Sequence, residues 1–568
     1  MIGLGSLLAT LAGTAQAVPP VFDKVPADAA FVLAIPNPDT LTKDLTTVSG
    51  WVGLPLPIQN VDDVLAMAGI AGAINKNGSM AVVLLEAPTP DMVGEPEMFV
   101  ILPTSNYAEL LKSMNAKGDG VAEGEINGEP AFFRDLGGGY ALMAPRKEIA
   151  EKYNKEGGHA AKHKARIGVA GDRIADSADL VMVINVDKFR ALGQEGLKQA
   201  MDTAKENMAM MGEGALNLEA VDFLAGLLLK DTRSVVAGAN IDGMGVALDM
   251  AFTFTEGSRL AKLAAKPGGA SAMLNKLPNQ PYLLAMSLDL SNPDVKAFAK
   301  EIPKGAGPAQ PGAMDFAFMA ANTNGAASSI GFNPGGLMSG LLSRGVTYTA
   351  TTDANAYVAK MKEAMKAMKD AGVGEAVYAE EAAEVGGKKV DTWEVKMNAD
   401  AAGPMGAQIM MAMFGGSGGP NGYTARLANG GVIQTMSKSS DLLSAAMAAA
   451  NGDGGLGGDK VTQQVGEKMP KGRVAEVYVG VKSILDSVVP LLSNFGGLQV
   501  KFDMPQSLPP VGLGLTPGDG SVVASIYLPG PTIKTVADFY RAVESAASGG
   551  RGGDEPAPKK QDSGQPKF

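Results

Sequence analysis

The only two histidines, His159 and His163, stand four residues apart in Gly158-His159-Ala160-Ala161-Lys162-His163, the spacing at which one helix face offers two imidazoles to a metal ion. The pattern lacks the glutamate that follows the first histidine of a zinc-protease helix. Ala160 stands there, and Lys155, Lys162, Lys164 and Arg166 set positive charge around the pair. A solvated basic connector is the competing reading. Glu380, Glu381 and Glu384 form the paired acids that glycoside chemistry uses, in a segment that equally suits an exposed strand or turn. Met208, Met210 and Met211, and then Met405, Met410, Met411 and Met413, are thioether clusters suited to copper in an exported protein, and more commonly to gap-filling or a pliable apolar surface.

Other chemistries are excluded more firmly. The chain has no cysteine, which removes disulfides, thiolate metal sites and a cysteine nucleophile together. No nucleophile elbow, Walker loop or dinucleotide fingerprint stands between a strand and a helix; Gly336-Leu337-Met338-Ser339-Gly340 places its serine one position out. Gly452 to Asp459 has the Gly/Asp composition of calcium β-rolls in a single copy, and reads instead as a flexible glycine linker. No cofactor signature is present.

Lys+Arg 49 against Asp+Glu 60 gives a net charge of -11, which repels a polyanion, so nucleic acid is excluded as a partner. Residues Met1 to Ala17 are uncharged and apolar and end Ala15-Gln16-Ala17, the small-x-small pattern of a signal-peptidase site, with cleavage expected after Ala17. No later run reaches the roughly 18 apolar residues that span a bilayer, so the mature chain is expected to be free of the membrane. From Ser548 onward Gly, Pro and charge predominate, the composition of a disordered tail.

The elements that would position any site come in two series with the same order. Val25-Pro26 leads into the apolar run Phe31 to Ile35 and then Asn37-Pro38; Leu277-Pro278 leads into Tyr282 to Met286 and then Asn292-Pro293. Asn then Pro predicts a helix N-cap and first helical position in both. Met98 to Leu102 then enters a helix capped near Ser105, with Tyr107, Leu110, Leu111 and Met114 on one face, and Val346 to Ala350 enters one capped near Asp353. Asn127-Gly128, Asp242-Gly243, Asn429-Gly430 and Asp519-Gly520 predict hairpin turns with positive φ, hence antiparallel sheet. Each series closes with a strand pair and a helix, Ser258 to Ala265 and Ile533 to Val543.

This order resembles a family of uncharacterised exported bacterial proteins, common in planctomycete-like bacteria, and the likeness covers most of Val18 to Ala547. No assigned activity comes with it; the resemblance implies an exported compartment and an α+β architecture. The expected organisation is α+β in two tandem diverged copies of an antiparallel-sheet-plus-helices unit: a signal peptide at 1–17, a first copy at 18–267, a second at 268–547 with an insertion near 398–422, and a tail at 548–568. The breaker cluster Lys266-Pro267-Gly268-Gly269 marks the boundary. The functional expectation is a non-catalytic binding or scaffolding protein, periplasmic or extracellular, for an envelope protein or polymer. The alternative is a carboxylate-dependent hydrolase of envelope polymers, with two acids converging between the halves.

Overall fold

The computed structural model describes residues 18–54, 60–88, 96–153, 157–211, 218–301, 321–331, 333, 340, 342–370, 374–397, 413–414, 419–495 and 498–549. It is a mixed α and β structure built on an antiparallel sheet that has 19 strands among the described residues. In the N-terminal half these are β1 (Phe31–Ile35), β2 (Met80–Leu84), β3 (Met98–Pro103), β4 (Val121–Ile126), β5 (Glu129–Gly137), β6 (Tyr140–Ala144), β7 (Leu180–Asn185), β8 (Thr232–Asp242) and β9 (Gly245–Phe254). The C-terminal half adds β10 (Tyr282–Asp289), β11 (Thr323–Gly331), β12 (Gly345–Thr351), β13 (Gly374–Val385), β14 (Lys388–Met397), β15 (Asn421–Arg426), β16 (Gly431–Thr435), β17 (Ala475–Val479), β18 (Val511–Gly518) and β19 (Ser521–Pro529).

Pairing makes the order across the sheet β4-β5-β6-β3-β2-β1-β7-β8-β9-β19-β18-β17-β10-β11-β12-β16-β15-β14-β13. The two halves are therefore one sheet. Their seam is β9 against β19, in register from Gly245↔Pro529 to Thr253↔Ser521. The two outer edges, β4 and β13, carry Glu123 and Glu125, and Glu375, Glu380, Glu381 and Glu384. Charge on a free edge discourages strand addition by another chain, and β13 is also bulged between Ala379 and Ala383, where Glu381 has φ 48°.

The helices needed below are α1 (Pro38–Val52), α2 (Ala160–Ser177), α3 (Ser440–Asn451), α4 (Lys460–Lys468), α5 (Val481–Phe495) and α6 (Gly530–Gly549). Helix α1 starts where its sequence dictates, with the Asn37 side chain accepting from Thr40 N and Pro38 in the first turn. The same device at Asn292 and Pro293 starts a helix after β10. One sheet face is covered. Ile167, Ala170 and Ile174 of α2 pack on Val32, Val83, Val183, Val236 and Ala251 in the N-terminal half. Leu442, Leu443, Ala446 and Met447 of α3 pack with Ala285, Val346, Tyr348 and Ile433 in the other. Helix α2 breaks at Gly168 (φ 69°), where a Cβ would approach Thr253 of β9 to 3.0 Å, so the freed Ile167 carbonyl can accept from Thr253 Oγ1 at 2.6 Å.

Several local expectations shift. The helix after β3 is capped by Asn106, one residue past Ser105. Asn127-Gly128 and Asp519-Gly520 do take positive φ at both positions. The β8–β9 turn instead sits on Gly243-Met244, because the Asp242 carboxylate accepts from both Met244 N and Gly245 N and tightens the chain one residue later. At Asn429-Gly430 only the glycine has positive φ. The glycine run at 452–459 is not a free linker: Leu456 is buried, Leu456 N donates to Leu277 O, and Asp459 caps α4. The last helix continues through Gly549, past the expected start of the tail. Residues 1–17 and 550–568, most of 398–418 and the 334–339 stretch lie outside the described residues, so the signal-peptide positions Ala15 and Ala17 lie there as well; Asn421 and Gly422, placed in the insertion, belong to β15.

Candidate functional site

His159 sits at the start of α2 and His163 one turn inside it, on the buried face and not on a solvated connector. The His163 ring stands edge-on to Phe22 at 5.1 Å, and its Nε2 is 3.1 Å from Val25 O. Burial is the main cause that pushes its pKa down to about 4, so the imidazole is neutral at neutral pH. Among the described residues no third histidine, aspartate or glutamate joins the pair as a metal-ligand set. Glu380 and Glu381 are exposed and face lysines, Glu380 pairing with Lys362 and Glu381 with Lys389 at 3.0 Å. Of the methionines flagged in the sequence, Met405, Met410 and Met411 fall outside the described residues.

A carboxyl pair the sequence did not signal lies between α1 and the entry to β7. Asp44 hydrogen-bonds to Asp179, and burial first, then the charge of Asp179, holds the Asp44 carboxyl up at about 6. Asp179 is raised as well, chiefly by burial, and it also accepts from Ile241 N at 2.7 Å. The two carboxyls meet where α1 packs against the sheet. Neither lines the groove described below.

The feature that stands out is the second face of the sheet. Strand register places Val100, Val82, Leu33, Met182, Ala237, Met250, Ala524, Leu515, Ala475, Leu288 and Ala326 side by side on eleven adjacent strands, from β3 to β11. A parallel row two residues away runs Leu180, Ala239, Leu248, Ile526, Leu513, Val477 and Met286. Their sequence neighbours on the covered face, such as Val183, Ala251 and Val523, are buried; none in these two rows is. Around the seam Leu248, Met250, Met286, Leu288, Leu515 and Ile526 are 37 to 40% exposed. Apolar side chains on both faces normally mark a sheet covered twice. Toward β3 the outer side is covered, Val100 packing against a cluster of Leu41, Leu65 and Leu110, and α6 lies over one end of β9 and β19; between these the described residues leave a contiguous apolar area open, the kind of patch that monomers reserve for an interaction.

At one end of this face lies a groove of about 450 Å³. Its floor is Val511 of β18 and Leu528 of β19; α6 contributes Ile533, Val536, Ala537 and Tyr540, the start of α5 contributes Val481, and Val52 and Leu54 close it from the N-terminal half. The walls are tied by Arg541, whose guanidinium donates to Val52 O and pairs with Asp538 at 2.5 Å. Gly53 makes this approach possible: at φ 67° it ends α1, and a Cβ there would collide with the guanidinium. Beside it Gly530 lies close under the Trp51 ring. The lining contains no aspartate or glutamate.

No family model, curated protein or solved structure matches the chain. The outer face and its groove therefore rest on their own geometry. The signal for them was present in strands such as Leu180-Val181-Met182-Val183-Ile184 and Val522-Val523-Ala524, apolar at successive positions and so apolar on both faces. What the sequence lacked was any sign that Met250, Leu515 and Leu288 around the seam would be left more than a third exposed among the described residues.

Proposed function

We propose that this chain is a non-catalytic binding protein of the cell envelope, exported by the segment ending at Ala17, and that the apolar outer face of its sheet is the surface that binds. The observation that carries this reading is the half-exposed apolar row crossing the seam through Met250, Ala524, Leu515 and Leu288. Covering such area releases roughly 25 cal/mol per Å² of apolar surface, a driving force that needs no catalytic residue and no metal. The likeness of the two halves supports a tandem duplication as the origin of so wide a face. Outward from the seam the order is β9-β8-β7-β1-β2-β3-β6 on one side and β19-β18-β17-β10-β11-β12-β16 on the other. The resemblance to exported planctomycete-type proteins agrees with that compartment.

The test is comparative purification from envelope fractions. Wild-type chain and the double variant Met250→Glu, Leu515→Glu are recovered side by side, and bound lipids, polymers and proteins are identified by mass spectrometry. A species retained by wild type and lost from an equally folded variant is the expected result. Equal recovery by both chains removes the face from the binding role. Export is read separately, from an extracytoplasmic chain whose N-terminus is Val18.

A further inference from the structure

We propose that the groove between Val52, Leu528 and Val536 holds the hydrocarbon chain of a single lipid molecule taken up as a monomer, a specific occupant that rests on the outer-face reading above. Two of the three polar side chains of the groove wall are already used, and the third, Tyr540, is exposed at its rim. Thr532 Oγ1 donates to Pro509 O at 2.6 Å, and Arg541 is committed to Val52 O and Asp538. An extended peptide laid here would leave its own N–H and C=O groups without partners, at about 1–3 kcal/mol each. A hydrocarbon chain brings no such groups.

Lining composition points the same way. Arg541 is the one charged residue in the lining, and it pairs with Asp538, which Lys534 also pairs with at 2.9 Å, so the charges gather at the edge while the other ten lining residues are uncharged and complement a hydrocarbon chain. Size then limits the occupant. The groove's roughly 450 Å³ lies in the range of single small-molecule pockets, room for one hydrocarbon chain and not for several. The floor continues directly into the apolar rows, since Leu528 pairs with Val246 on β9 and Val511 with Val479 on β17. The rim residues Leu54, Val536 and Tyr540 are 53, 44 and 67% exposed, as expected of a mouth and not of a core.

The experiment is a titration of the full chain with cis-parinaric acid, a fluorescent fatty acid, alongside flotation with phosphatidylcholine/phosphatidylglycerol vesicles. Expected are one saturable site per chain, at least tenfold weaker binding in Val536→Glu with unchanged thermal unfolding, less than twofold change in Met67→Glu at an exposed position outside the groove, and no flotation. Val536 is at the surface, so the variant folds. Loss in Met250→Glu with none in Val536→Glu overturns the groove while leaving the outer face as a binding surface. Absence of any saturable site, or flotation without one, overturns the groove, and the comparative purification then decides the face alone.

Discussion

Replacing Asp44 by asparagine removes one of the two carboxyls that meet where α1 packs against the sheet, and it is expected to stabilise the protein at neutral pH. The Asp44 pKa is lifted from 3.8 to about 6, so near pH 5 the folded chain keeps a proton that the unfolded chain has lost. The stability this proton confers is fully present below pH ~4 and is lost as pH rises through about 6. At about 1.4 kcal/mol per pKa unit the lift amounts to at most about 3 kcal/mol, and because the carboxyl is largely solvent-screened we expect about 1 kcal/mol. Urea unfolding of wild type and Asp44→Asn at half-unit steps from pH 4 to 8 measures it. Taking the difference between the two chains cancels the other titrating groups. Asp44→Asn should match wild type within error near pH 4 and exceed it by about 1 kcal/mol at pH 8. A variant less stable than wild type at pH 8, or a difference independent of pH, refutes the raised Asp44 pKa.

Three further outcomes follow from single contacts. Glu476, buried in β17, accepts from Arg473 Nε at 2.7 Å and from Ser271 and Ser287; Glu476→Gln leaves the Arg473 guanidinium buried without its counter-charge and should cost about 3 kcal/mol in urea unfolding. Gly53→Ala forces a Cβ into the Arg541 guanidinium at a positive φ and should cost about 1–2 kcal/mol, with weaker parinaric acid binding in the same preparation. His163, whose pKa is pushed down to about 4 mainly by burial, loses stability for the fold as pH falls from ~6.5 through 4; its ring protons should show no titration above pH 5 in an NMR series.

Much of the fold was legible because it is written locally. The strand at Phe31–Ile35, the Asn37-Pro38 and Asn292-Pro293 helix starts and the Asp519-Gly520 hairpin each depend on a few consecutive residues with strong conformational preferences. The seam was not, since β9 and β19 meet across more than 260 residues of chain and nothing in either strand names its partner. His163 was misplaced because its lysine neighbours drew attention from a better signal: Ile167, Ala170 and Ile174 follow it at helical spacing on the face that becomes buried. The groove needed the seam first. Val52 and Leu54 from one half meet Leu528 and Val536 from the other only after the sheet is closed up at β9–β19.

The most direct test of the open outer face is carbene footprinting of the free full-length chain, which labels side chains in proportion to their exposure. Met250, Leu288, Leu515 and Ile526 should label strongly, and Val183, Ala251 and Val523 on the covered face should not. Weak labelling of the first group, equal to that of the second, would show that the outer face is covered in solution and would contradict its assignment as the binding surface.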